Sequence, residues 1–210
     1  MSVSPDPTLV DRIVSVLAAE IETGELSAGS RLLQNDLASR FSASHVPVRE
    51  AFRRLEAMGL VQSLPRRGAR VAAVDAQLYF EAIEMRAVLE SLALVHARAH
   101  YAPGHLAKIA EADLVCNSAM TAGDWEKANR NFHQLLIDPC PMPGLLAEIG
   151  RLHSVLRRGV AHLGGRQTLS FPREDRDHKI ILSSLREAQI DRAAGILASH
   201  IRKGHLRKIL

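Results

Sequence analysis

Ten histidines among 210 residues are many, and three of them are spaced so that their imidazoles could converge. His133 follows Asn129 by four residues, which puts both side chains on one face of a helix. His178 stands at the start of one helical pattern and His200 on the next, 22 residues later, where antiparallel packing would bring them level. Converging imidazoles can hold a metal, whereas a single histidine is usually a hydrogen-bonded or solvated side chain; the other seven are read that way. A second kind of chemistry is concentrated between His45 and Val74. Six arginines (Arg49, Arg53, Arg54, Arg66, Arg67, Arg70) stand there against Glu50 and Glu56, while residues 1–44 hold three arginines against six acids. No lysine precedes Lys108. The guanidinium fork suits phosphate and guanine edges, although by composition alone the run fits a solvated helix face equally well.

The composition is that of a globular chain, 47% hydrophobic, 24% charged and 4% aromatic, with a formal net charge of +4. No run approaches the roughly 18 apolar residues of a membrane span. The first 30 residues lack a basic leader and an apolar segment, so no signal peptide is expected. Cys116 and Cys140 have neither metal-type spacing nor the density of a disulfide scaffold. A cytoplasmic protein without membrane partners is the expectation.

The basic run needs a scaffold, and the preceding residues supply one. Leu9, Ile13, Val16, Leu17 and Ile21 recur at helical spacing over 8–23, and Gly24 and Gly29 then break the pattern. A short helix is predicted from Gln34 to Phe41, with Leu37 and Phe41 inward. Ser44 follows a tight turn as N-cap of another helix reaching Met58, with Pro47 in its first turn and Gly59 stopping it. Val48, Ala51, Phe52, Leu55 and Met58 form its inner face, while His45, Arg49 and Arg53 share another. Two short helices about a three-residue turn, the second basic at its start, describe a helix-turn-helix. Leu60–Leu64 and Ala69–Val74 then read as strands around a Pro65–Gly68 turn, a wing with arginines at its tip.

Beyond Asp75 only helical patterns occur, over 76–100, 104–122, 125–138, 143–163, 172–188 and 190–209. They are punctuated by Pro103-Gly104, Gly123-Asp124, the Pro139–Gly144 segment and Gly164-Gly165. Six helices with short connections imply an antiparallel bundle. The fold class is therefore mainly α, an N-terminal winged helix-turn-helix (1–74) followed by an all-α antiparallel helical bundle (75–210).

The N-terminal residues resemble the GntR family of bacterial regulators. The resemblance runs through Gly24-Glu25-Leu26, Gly29-Ser30-Arg31-Leu32, Leu37-Ala38, Phe41, Pro47–Glu56, Gly59-Leu60-Val61, Pro65–Gly68 and Val71. It implies that the second helix of the motif enters the major groove of double-stranded operator DNA and that the wing reaches the minor groove. The implied DNA contacts are Asn35, Ser44, His45, Arg49, Arg66, Arg67 and Gly68; Arg53 is added from its helix face. The family usually has Glu at Gln34 and Arg at His45. A shorter, mostly neutral imidazole cannot reproduce a guanidinium fork, so an altered operator preference is expected.

Residues 76–205 resemble the FCD ligand-binding domain of the fatty-acid-regulator branch of that family. The matching segments are Glu84-Met85-Arg86, Leu89-Glu90, Asn129 with Phe132-His133 and Leu136, His178 with Ile181-Leu182 and Leu185, and Ala193-Ala194 with His200. In that domain one aspartate and three histidines bind a divalent metal, and an arginine helps hold a carboxylate effector. The resemblance implies Asn129, His133, His178 and His200 as metal positions and Arg86 as effector clamp. Imidazole-rich ligation favours zinc or nickel. Asn129 stands where the family has aspartate, so three imidazoles and an amide would leave the +2 charge unbalanced unless an anion joins them. The Pro139–Gly144 segment departs from the family's simpler turn.

The leading expectation is a homodimeric repressor reading two half-sites and controlled by a small carboxylate. The first alternative is a DNA-binding dimer whose C-terminal bundle binds neither metal nor effector. The remote alternative is a metal-dependent hydrolase, disfavoured because no His-Glu-x-x-His occurs and Asn129 cannot serve as a base; no enzyme activity is expected.

Overall fold

The computed structural model describes residues 8–64, 68–163 and 175–206. Helix α1 (Leu9–Thr23) opens with a capping box: the Asp11 N–H donates to the Thr8 hydroxyl, and the Thr8 N–H donates to the Asp11 carboxylate. It ends at Gly24, whose φ of 82° is the left-handed cap only glycine adopts cheaply. Strand β1 (Arg31–Leu32), helix α2 (Gln34–Arg40), helix α3 (His45–Ala57) and strands β2 (Val61–Leu64) and β3 (Gly68–Val71) follow. The three strands form an antiparallel sheet in the order β1-β3-β2, with Arg31 opposite Arg70 and Val61 opposite Val71. Ile13, Leu17, Ile21, Leu37, Val48, Ala51, Phe52 and Leu55 meet Leu32, Val61, Ala69 and Val71 of the sheet in one core. Arg54 reaches back from α3 to Asp11 at 2.6 Å, and Arg40 of α2 pairs with Glu20 of α1.

The elements of this module stand close to their expected places, with three local differences. Met58 was expected inward but is 41% exposed, because α3 stops at Ala57 and the chain turns at Gly59. The second strand stops at Val71 rather than Val74, and β1 has no counterpart in the sequence reading.

The remaining elements are helices: α4 (Ala76–Arg98), α5 (His105–Ser118), α6 (Ala122–Ile137), α7 (Pro143–Leu163), α8 (Arg176–Arg186) and α9 (Ile190–Leu206). Gly123-Asp124 does not separate helices as expected. The break falls at 119–121, where the Thr121 hydroxyl accepts from the Asp124 N–H and caps α6. Between α6 and α7 the Pro139–Met142 link buries Cys140 in the core, and Pro143 opens α7, where a missing N–H costs nothing. Helix α5 packs on α6 and α8, and α8 on α9. Short links between α5 and α6 and between α8 and α9 make these pairs hairpins.

Two compact units emerge from the contacts, Met1–Tyr79 with Ser154–Gly165, and Phe80–His153 with Arg166–Leu210. The first unit includes the end of α7, where Arg157 pairs with Glu22 and Gly159 lies against the ring of buried Tyr79. The second is built on Leu94, Ala97, Ile109, Phe132, Leu136, Ile149, Ile181, Leu185 and Leu197. Among the described residues no helix is long and apolar enough to cross a membrane.

Candidate functional site

In the first unit, the start of α3 is an exposed polar surface. Ser44, His45, Arg49 and Arg53 are all exposed, as is Asn35 at the start of α2. Ser44 occupies the N-cap position with an extended backbone, yet its hydroxyl makes no capping bond. The amides of the first helical turn therefore have no side-chain cap, an arrangement that suits an anion. Arg49 has no ion pair among the described residues, and Arg53 has only a 3.5 Å approach to Glu50. Gln34 donates from Nε2 to the His45 carbonyl at 2.8 Å, tying the two helices together at their starts. A glutamate there could not donate, so this departure from the family has a structural consequence.

Arg66 and Arg67 lie outside the described residues. Gly68 begins β3 with φ 87°, and a Cβ there would stand 2.2 Å from the Leu32 carbonyl oxygen. Its small size is thus required by β1, whatever else it touches. The register also puts Arg31 opposite Arg70, like charges that repel unless an anion lies between them.

In the second unit, His133 from α6, His178 from α8 and His200 from α9 come together. All three are buried, and one nitrogen from each lies within 4.8 Å of the others. Ring centroids are 5.2 Å apart for His133 and His200, and 4.8 Å for His178 and His200. Phe132 stacks on His178 at 3.8 Å and fixes its plane.

Carboxylates that the sequence did not single out orient two of these rings. His133 Nδ1 is 3.0 Å from Glu90, and His178 Nδ1 is 3.0 Å from Asp113. With Nδ1–H donated to a carboxylate, each ring keeps a bare lone pair on Nε2, the pattern that prepares histidine for a metal. His178 Nε2 has no hydrogen-bond partner although it is buried, and neither has Asn129 Oδ1. An orphaned imidazole nitrogen among three clustered imidazoles fits a cation. Burial pushes His133 down to about 3, against the pull of Glu90, so the ring is neutral, as a ligand must be. Glu90 is itself buried, but the Arg86 guanidinium and the hydrogen bonds of His133 and His153 outweigh that burial and hold its carboxyl well below the usual range.

Arg86 is buried and donates from Nε to Glu90 Oε1 at 2.6 Å, and His153 Nε2 stands 2.8 Å from the same oxygen. The expected clamp therefore already holds a carboxylate of its own chain. The signal for Glu90 was its i+4 spacing from Arg86. For Asp113 it was a lone acid on the inward face of α5 beside Ile109, Ala112 and Cys116.

A winged helix-turn-helix together with a helical unit enclosing an imidazole cluster defines a DNA-binding transcriptional regulator. The chain belongs to the GntR family: the model for "Bacterial regulatory proteins, gntR family" matches residues 9–71, and the FCD domain model matches 81–203. The probable D-xylose utilization operon transcriptional repressor of Paenarthrobacter nicotinovorans is 25% identical, over 92% of this chain and 86% of that protein. The HTH-type transcriptional regulator BphR of Paraburkholderia xenovorans is 32% identical, over 63% of this chain and 58% of its own length. The solved structure of E. coli McbR/YncC superposes with a TM-score of 0.79, covering 93% of this chain and 94% of that one at 24% identity, a likeness of fold. These are families of regulators, not enzymes.

Proposed function

We propose that this regulator is a repressor that binds a two-half-site operator as a homodimer, through residues 1–74, and is released by a small carboxylate bound in residues 75–210. The carboxylate would bind beside a zinc or nickel ion held by His133, His178 and His200, with Asn129 as a neutral donor. The observation that carries this reading is the orphaned Nε2 of His178 within a carboxylate-oriented histidine cluster. The metal would act as a Lewis acid that attracts the effector's carboxylate. Arg86 would share that carboxylate with Glu90, so binding disturbs an ion pair the chain makes alone. An effector can shift DNA affinity only by binding the two arrangements of the dimer unequally.

Pairing of two copies is supported by α4, where Met85, Val88, Leu92 and Val95 recur at three- and four-residue steps and are exposed, Val88 by 57%. DNA contact is assigned to Asn35, Ser44, His45, Arg49, Arg53, Arg66, Arg67 and Gly68. Repression is taken from the Paenarthrobacter relative, and a regulator of this kind acts in the cytoplasm. The second reading, a bundle that only dimerises, draws on the closed Arg86–Glu90 pair.

The test is fluorescence anisotropy on DNA selected by the protein from a random pool. Arg49→Ala is expected to weaken binding by about 10- to 100-fold, the loss of one base or phosphate anchor. Small dicarboxylates with zinc present are expected to release the wild-type chain. Unchanged affinity in Arg49→Ala would remove the α3 surface from DNA contact; no response to any acid, with or without metal, would leave the dimerising bundle.

A further inference from the structure

The sequence reading left a charge deficit at the histidine cluster, since Asn129 cannot supply the anion that a divalent ion needs. We propose that Asp175 supplies it, as a carboxylate ligand completing a site of three imidazoles and one carboxylate for a divalent transition metal. The proposal rests on the metal reading above and names a ligand that neither the spacing nor the family resemblance points to.

Asp175 is the N-cap of α8, and its two oxygens do different things. Oδ1 accepts from the amides of Asp177 and His178, at 3.0 and 3.4 Å, and so starts the helix. Oδ2 lies 3.9 Å from His178 Nε2 and 3.6 Å from His200 Nδ1. Both separations are too long for hydrogen bonds. Two donors about 2.1 Å from one tetrahedral ion stand roughly 3.4 Å apart, and the two gaps to Asp175 exceed that by a few tenths of an ångström. Asp175 must also move toward His133, since its oxygens group within 4.8 Å with His200 and Asp177 rather than with all three imidazoles. The nitrogen facing Oδ2 is the orphaned Nε2 of His178, on a side chain 0% exposed.

Charge bookkeeping agrees. Glu90, Asp113, Asp175 and Asp177 carry four negative charges around the cluster and Arg86 carries one positive, so a divalent ion reduces the excess from −3 to −1. Asp177 is the competing acid. It stands 3.5 Å from His200 Nδ1, against 3.6 Å for Asp175, but makes no ion pair with His178 among the described residues, and its side chain is 26% exposed against 12% for Asp175. The helix therefore does two jobs with one residue: the cap fixes Oδ1, and this aims Oδ2 at the imidazoles.

The experiment is zinc titration of the full-length, metal-stripped chain against a competing chelator, for wild type, Asp175→Ser, Asn129→Ala, Asp177→Asn and His133→Ala. Serine keeps the helix cap and removes the ligand oxygen; Asp175→Asn, which also caps, replaces it should the serine variant fold poorly. The expected result is a loss of at least about 100-fold in zinc affinity for Asp175→Ser, beyond the 10- to 100-fold typical of an outer-shell partner. Asp177→Asn should stay within about threefold of wild type, and Asn129→Ala, which removes only a neutral donor, should lose less than Asp175→Ser. Cobalt(II) loaded into wild type and Asp175→Ser should give different visible spectra, which loss of a helix cap alone would not produce. Asp175→Ser binding zinc like wild type while His133→Ala does not would overturn the proposal and leave the metal reading standing. Wild type binding no better than His133→Ala would remove the metal reading itself, and Asp175 with it.

Discussion

Gly68→Ala is expected to destabilise the winged module by about 3 kcal/mol or more, and to weaken operator binding in proportion to the fraction of chain it leaves unfolded. The φ of 87° is a left-handed conformation that costs an L-residue roughly 1–2 kcal/mol. The added methyl would then stand 2.2 Å from the Leu32 carbonyl oxygen and 3.4 Å from Leu33 Cα. These are backbone atoms, so no rotamer change relieves the contact, and overpacking costs about 1–3 kcal/mol more. Relief means moving β1 away from β3, which breaks the pairing of Arg31 with Arg70 and Leu32 with Ala69. Thermal melts and amide exchange of β1 and β3 check this. If Gly68 mattered only through a DNA contact, alanine would weaken binding with the melt unchanged, and that outcome would contradict the packing argument.

The glycine shows where sequence reading reaches and where it stops. Position 68 was legible as part of a turn, and its family resemblance suggested contact with DNA. That the missing Cβ makes room for another strand was not legible, because β1 is two residues long and pairs with residues nearly forty positions later. A strand so short has no period of its own to detect. Helix α3, by contrast, was readable almost to the residue, because Val48, Ala51, Phe52 and Leu55 repeat on one face and Gly59 follows.

The histidine cluster divides the same way. His133, His178 and His200 were recoverable from spacing and resemblance, since helix period and hairpin packing bring like positions together. Asp113 was not, because it meets His178 across 65 residues and a lone acid carries no mark of its partner. Asp175 was hidden by its ordinary role, as an acid before a helix reads as a cap. The deficit at Asn129 was legible; the residues that offset it were visible only once α5 and α8 were packed together.

That offset gives the second large effect. One equivalent of zinc is expected to raise the melting temperature of the wild-type chain by roughly 10 °C, and His178→Ala should abolish the increase. Ligand present at a thousand times its dissociation constant stabilises by about 4 kcal/mol, and in a chain of this size each kcal/mol moves the midpoint about 2–4 °C. The metal-free variant will also be less stable than metal-free wild type, by about 3 kcal/mol. It loses the Phe132 stack and leaves the Asp113 carboxylate without its buried donor. The zinc increment, rather than the absolute midpoint, is therefore the quantity that reports on the site. An equal increment in wild type and His178→Ala would place zinc elsewhere on the chain. No increment in either would mean that Glu90 and Asp113 hold the imidazoles as a buried polar network in which Nε2 of His178 stays unsatisfied, at a cost the surrounding packing must offset.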